Sequence, residues 1–193
     1  MSTRPLLQII IGSTRPGRVG GAIATWFQGR AEAHGAFDVE MVDLAEVGLP
    51  LFDEPGHPVT RQYTHDHTTR WSATIDRADA YVFVIPEYNH SLNAATKNAL
   101  DYLHHEWRFK PAGIVCYGGG AMGTRAAQHL KPVLAALRIV YAGDVAIPLQ
   151  TTPVVDGVFR PNEVLNHAAA AVLTEIAALH PGLHQLRTTR PQK

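Results

Sequence analysis

Five apolar runs separated by helix-like patterns constrain this chain more than any other feature. The runs are Leu6–Ile11, Phe37–Asp43, Ala80–Pro86, Gly113–Tyr117 and Ile139–Ile147. Several are apolar without a break, as in Tyr81-Val82-Phe83-Val84-Ile85. An unbroken apolar strand is one covered on both faces, whereas a half-exposed strand alternates apolar and polar residues. Helices are expected between and after the runs, over Gly17–His34, Arg61–Arg77, Asn93–His105, Gly123–Leu137 and Asn162–Leu179. This rhythm predicts an α/β fold: a doubly wound parallel sheet of five strands in the order 2-1-3-4-5, with helices on both faces. A length of 193 residues suits one domain spanning 1–193. No repeat or linker breaks it. The Pro- and Gly-rich stretch Val47–Pro58 reads as a long ordered loop, and 188–193 as a frayed polar tail.

In such a sheet, ligands sit outside the carboxyl ends of the strands where strand order reverses. Three unusual loops fall there. The first is Gly12-Ser13-Thr14-Arg15-Pro16-Gly17-Arg18, followed by Gly20 at the head of a helix. Small and hydroxyl residues let backbone N–H groups approach an anion, and a helix N-terminus favours negative charge. Arg15 and Arg18 add planar donors that match phosphate oxygens. The same residues also suit a plain strand-to-helix turn with Ser13 or Thr14 as its cap. Arg18-Val19 stands where a triphosphatase loop needs Lys and Ser/Thr, and no G-x-G-x-x-G is present.

The second loop is Pro86-Glu87-Tyr88-Asn89-His90-Ser91, which suits either the wall of a planar heteroaromatic ring or an ordinary turn. The third is Tyr117-Gly118-Gly119-Gly120-Ala121-Met122-Gly123, where missing side chains permit either a flat ligand or a flexible turn. Arg125 is placed to reach a ligand phosphate or a neighbouring subunit.

Composition excludes several classes. Lys+Arg and Asp+Glu both number 17, which argues against a nucleic-acid surface and against an acidic electron carrier. The single cysteine, Cys116, excludes a disulfide framework and reads as a buried apolar residue rather than a nucleophile. His65-x-His67 and His104-His105 lack further ligands, so no metal site is expected. No signal peptide or membrane-length apolar run is evident, and a cytoplasmic location is expected.

Taken together, GSTRPGR, PLFDEP (Pro50–Pro55), PEYNHS, KNALDYL and YGGG…G…RA resemble the NADPH-dependent FMN reductase family of flavodoxin-like proteins, from about Leu6 to Pro148. The resemblance implies non-covalent FMN, NADPH or NADH as donor, and a small-molecule acceptor such as a quinone, free flavin, azo dye or metal oxyanion. It also implies a homodimer or a dimer of dimers. By that likeness Ser13, Arg15 and Arg18 would hold the phosphate with the loop that starts at Gly12. Pro86, Glu87, Tyr88 and Asn89 would lie on one side of the ring, and Tyr117, Gly118, Gly119, Gly120 and Gly123 on the other. Met122 would narrow the ring pocket or cover its edge. No side chain is expected to act as a catalytic group, since the chemistry would belong to the flavin. The alternatives are a flavodoxin-type electron carrier and a non-catalytic FMN-binding redox sensor. The dimer contact is expected on the helix over Asn93–Trp107, because Leu100, Tyr102, Leu103 and Trp107 cover more of it than one core stripe needs.

Overall fold

The structure is a computed structural model that describes residues 4–189. Its main sheet is built from β1 (Leu6–Ile11), β2 (Asp38–Asp43), β3 (Ala80–Tyr88), a short β4 (Ser91–Leu92), β5 (Pro111–Gly118) and β6 (Val140–Pro148). The order is β2-β1-β3-β5-β6, with parallel neighbours throughout, and β4 folds back antiparallel on the end of β3. The five long strands therefore stand in the expected order 2-1-3-4-5.

Alternation along β3 shows how apolar runs become two cores. Tyr81, Phe83 and Ile85 enter one cluster with Trp71, Trp107 and Leu130. Val82 and Val84 enter the other with Phe27, Ile23 and Leu173. The second cluster lies under α1 (Gly20–His34) and α6 (Glu163–Thr189). The first lies under α3 (Asp66–Asp76), α4 (Ala94–Asp101) and α5 (Thr124–Ala136). A single turn of helix, α2 (Leu44–Val47), follows β2 and is N-capped by the Asp43 carboxylate, which accepts from Ala45 N at 2.9 Å.

Several boundaries differ from the sequence expectation. The helix expected from Arg61 begins at Asp66, because Glu54 accepts from Thr64 N and His65 N and holds that stretch extended. The helix expected over Asn93–His105 ends at Asp101, and a 3-10 turn follows at His105–Trp107. Leu100, Tyr102, Leu103 and Trp107 are all buried within the chain. Their excess over one stripe is explained by this break, which folds both halves onto the core. They offer no surface for a subunit contact. The last helix runs through Pro181 to Thr189 instead of stopping at Leu179, so Thr188 and Thr189 are helical, while 190–193 lie outside the described residues. A hairpin, β7 (Val154–Val155) with β8 (Val158–Phe159), was not foreseen.

The stretch after α2 is ordered by side chains, as its composition suggested. Asn98 accepts from Phe52 N at 2.9 Å and donates to Pro50 O at 2.7 Å, and the Tyr102 hydroxyl donates to Asp53 at 2.9 Å.

Candidate functional site

The carboxyl ends of β1, β3, β5 and β6 surround one cleft. β1 stops at Ile11, and Gly12 N still donates to Val84 O at 2.9 Å before the chain turns away. Residues of β3 at even positions thus face β1, and by Pro86 that neighbour has gone. The missing N–H of Pro86 costs no ladder bond for this reason. β3 runs on past the end of β1 to Tyr88, and the gap between them is the cleft.

Arg15, Arg18, Pro86, Glu87 and Tyr88 line the cleft on one side; Tyr117, Gly118 and Gly119 line it on the other. Two further walls, Val19 and Leu149, were missed by the sequence reading. Leu149 had a usable signal, since it follows the last strand and its N–H donates to Gly118 O at 2.9 Å.

The remaining expected residues act from beneath or beside the cleft. Ser13 is fully buried, and its hydroxyl lies against that of Tyr117; neither has any other hydrogen-bond partner among the described residues. Burial pushes the Tyr117 phenol up to about 12, so it stays a neutral donor at physiological pH. Gly20 brings these hydroxyls together. A Cβ there would collide with Ser13 Oγ and reach Tyr117 OH at 2.7 Å. Above them begins α1, whose N-cap is Val19 and whose first turn has no side-chain cap and no acidic residue. Neither Ser13 nor Thr14 caps this helix. The first turn therefore presents free N–H groups and the positive end of a helix dipole, without a protein anion to meet them.

Two arginines flank this point. Arg18 is anchored by an ion pair with Asp43, the last residue of β2. One carboxylate contact leaves other donors of its fork available. Arg15 is exposed, and its Nε donates to the Tyr88 hydroxyl at 3.2 Å. Gly12 lies apart from the cleft. Its carbonyl accepts from Asn93 Nδ2 at 2.6 Å, and a Cβ would strike Thr96 Oγ1, so the glycine serves the packing of α4 on the loop.

The Pro86–Ser91 segment is a hairpin, with Tyr88 opposite Ser91. Asn89 and His90 make its turn at φ of 49° and 67°. Positive φ at both central positions suits the twist of a two-residue hairpin, and Asn tolerates it well. Asn89 is thus placed in the turn, at the cleft's rim. The Glu87 side chain points to α5: Oε2 accepts from Arg125 N at 3.1 Å, and Oε1 pairs with Arg125 Nη1 at 2.9 Å. It caps the α5 N-terminus and locks hairpin to glycine loop. Arg125 is thus tied to Glu87 through Nη1, with half of its side chain exposed.

The glycines divide by role. Gly123 has φ of 84°, and a Cβ there would collide with the Tyr117 backbone, so the fold itself requires glycine. Gly119 and Gly120 have ordinary φ, and a Cβ would meet nothing nearer than Gln150 Nε2 at 3.8 Å from Gly119. Internal packing gives no reason for glycine at these two positions, and the space above them is open. Met122 is exposed and is not among the cleft walls. Cys116 is buried against Val145 O at 3.6 Å, and burial pushes its thiol up to about 12, so it is no nucleophile at neutral pH.

Known proteins resemble this chain along most of its length. The family described as NADPH-dependent FMN reductase matches residues 5–152. An NAD(P)H-dependent FMN reductase of Schizosaccharomyces pombe is 42% identical over 160 residues, covering 81% of this chain and 80% of that one. An FMN-dependent NADPH-azoreductase of Staphylococcus saprophyticus is 29% identical over 143 residues, covering 74% and 73%. Among solved structures, a flavoenzyme NAD(P)H:(acceptor) oxidoreductase of Paracoccus denitrificans superposes with a TM-score of 0.69 at 20% identity, covering 91% of this chain and 98% of that one.

Proposed function

This chain belongs to the NADPH-dependent FMN reductase family, and we propose that the cleft described above is where it holds FMN. It is an NAD(P)H-dependent FMN oxidoreductase. FMN held there would supply the redox chemistry, a two-electron exchange between NAD(P)H and a second small molecule.

The observation that carries the site assignment is the uncapped N-terminus of α1 above the buried hydroxyl pair of Ser13 and Tyr117. Two hydroxyls paired only with each other still leave one O–H to donate, and a phosphate would accept it together with the free N–H groups of the helix. In this reading Ser13, Tyr117 and the first-turn N–H groups of α1 hold the phosphate. Arg15 and Arg18 neutralise it, with Asp43 fixing Arg18. Pro86 and Tyr88 wall one side of the ring, and Gly118, Gly119 and Gly120 leave the other side open to it. Glu87 acts through Arg125 and α5 by holding the two loops at a fixed separation. Non-covalent binding is part of this reading; the single thiol, Cys116, is buried in β5 and does not line the cleft. The carrier and sensor readings yield to the enzyme reading, because the relatives are named as reductases and the chain has no net charge to steer protein partners.

For the acceptor we propose a planar two-electron oxidant of the quinone or azo class, which could occupy the ring face that NAD(P)H vacates. We further propose that the chain works in the cytoplasm; no helix among the described residues is long and apolar enough to cross a membrane. Self-association as a homodimer or dimer of dimers remains a proposal. Its support on this chain is the pair Leu51 and Phe52, 82% and 40% exposed on the loop strapped to α4. Steady-state oxidation of NADPH with a benzoquinone tests the activity. Many turnovers per bound flavin are expected; consumption of NADPH that stops at one equivalent, with quinone still in excess, would overturn the reading.

A further inference from the structure

At the other end of the sheet lies a cluster that the cleft does not use. Asp79 stands just before β3, seven residues upstream of Pro86 and so about 23 Å from the cleft at strand rise. His180 and His184 face it from α6. They are four residues apart, which places both imidazoles on one side of the helix. His180 Nε2 lies 3.7 Å and His184 Nδ1 3.9 Å from Asp79 Oδ1, and the three atoms all fall within 4.8 Å of one another. His180 Nε2 is buried and has no hydrogen-bond partner.

We propose that Asp79, His180 and His184 form a binding site for Zn2+, closed in its metal-free form by Arg187. Two imidazoles and a carboxylate are a donor set for zinc and its borderline neighbours rather than for magnesium or calcium. Donor atoms around a tetrahedral zinc lie roughly 3.4 Å apart, given bonds near 2.0–2.1 Å. The observed separations need a modest contraction to reach that spacing. The carboxylate is already oriented for it. Asp79 Oδ2 accepts from Leu6 N at 3.0 Å, leaving Oδ1 toward the histidines. Hydrogen bonds of this kind fix ligands around a metal.

Arg187 explains how the site is stable without metal. Its Nη2 donates to Asp79 Oδ1 at 2.6 Å and to His184 Nδ1 at 3.1 Å. The guanidinium thus covers two of the three donor atoms, as a cation standing in for a cation. Zinc binding must displace it, and its Nη1 has no partner to hold it back. A helix expected to stop at Leu179, before Pro181, gives His180 and His184 no common face, so the cluster is not legible from the sequence.

Calorimetric titration of the FMN-loaded full chain with zinc chloride near neutral pH tests the proposal. The wild type should bind one equivalent at this site. His180→Ala and His184→Ala should each weaken that event at least tenfold, and Arg187→Ala should tighten it at least tenfold. Zinc should also raise the melting temperature of the wild type and not of either histidine variant, which guards against misfolded variants. No saturable binding to the wild type at millimolar zinc would overturn the proposal. So would histidine variants that keep wild-type affinity, or an Arg187→Ala variant that binds no tighter.

Discussion

Ser13 is the residue through which the cofactor assignment is most exposed to test, together with Arg15 above it. Both belong to the phosphate end of the ligand, so their loss should discriminate FMN from riboflavin. Arg15→Ala should weaken FMN by ~1.5–3 kcal/mol, the range for a charged hydrogen bond, and leave riboflavin nearly unchanged. Equal loss for both ligands, measured by fluorescence quenching, would remove the phosphate role. The glycines give a second pair of outcomes. Gly119→Val should fold with normal far-ultraviolet dichroism yet fail to retain flavin, because a side chain there fills space that the protein leaves open. Gly123→Ala should instead lower stability, by ~1–3 kcal/mol for strained left-handed backbone, with a further cost from the clash at Tyr117. A Gly119→Val protein that keeps FMN would contradict the ring placement. These roles were partly legible beforehand. The residue types of the three loops pointed to an anion and a flat ligand, but nothing local told glycines that face open space from fold-required ones. That distinction depends on what lies across a strand gap.

At the scale of elements, the strands were the most legible part. Unbroken apolar runs leave few alternatives to a doubly covered sheet, and their order followed from the topology rules for such sheets. Helix ends were less legible, because long-range side chains set them. Glu54 holds 64–65 out of a helix, and the break after Asp101 packs Trp107 inward. Lys110 is a further case. Fully buried at the head of β5, its Nζ donates to Ile75 O at 2.8 Å and Asp76 O at 3.1 Å, the last two residues of α3. It serves as the C-terminal cap of that helix. Burial pulls its ammonium from 10.5 down to about 7. Between those values the unfolded chain holds a proton that the folded chain has released. Unfolding then takes up a proton, so this residue makes stability rise as pH rises through the window. Denaturant titrations from pH 7 to 10 should show that rise in the wild type and lose it in Lys110→Met. An unchanged pH slope in the variant would mean that Lys110 stays charged in its cage of carbonyls.

Over the whole molecule, the sheet divides its labour between its two ends. The carboxyl end opens where β1 stops short of β3, and there the geometry of a ligand edge follows from topology alone. The function was legible because five short motifs stood in one order; the burial of the Leu100–Trp107 side chains was not, and with it went the argument for a dimer through that helix. If Leu51 and Phe52 carry a contact instead, light scattering should give about twice the 21.1 kDa chain mass, and Leu51→Glu with Phe52→Glu should reduce it to one. A wild-type monomer at micromolar concentration would dismiss that surface. The central claim, that the cleft holds FMN where NAD(P)H can reduce it, is tested most directly by anaerobic titration of the FMN-loaded protein with NADPH. The visible absorbance of bound oxidised flavin should bleach fully at one equivalent per site and return on adding a quinone. An absorbance that persists with excess NADPH, while the flavin stays bound, would contradict it.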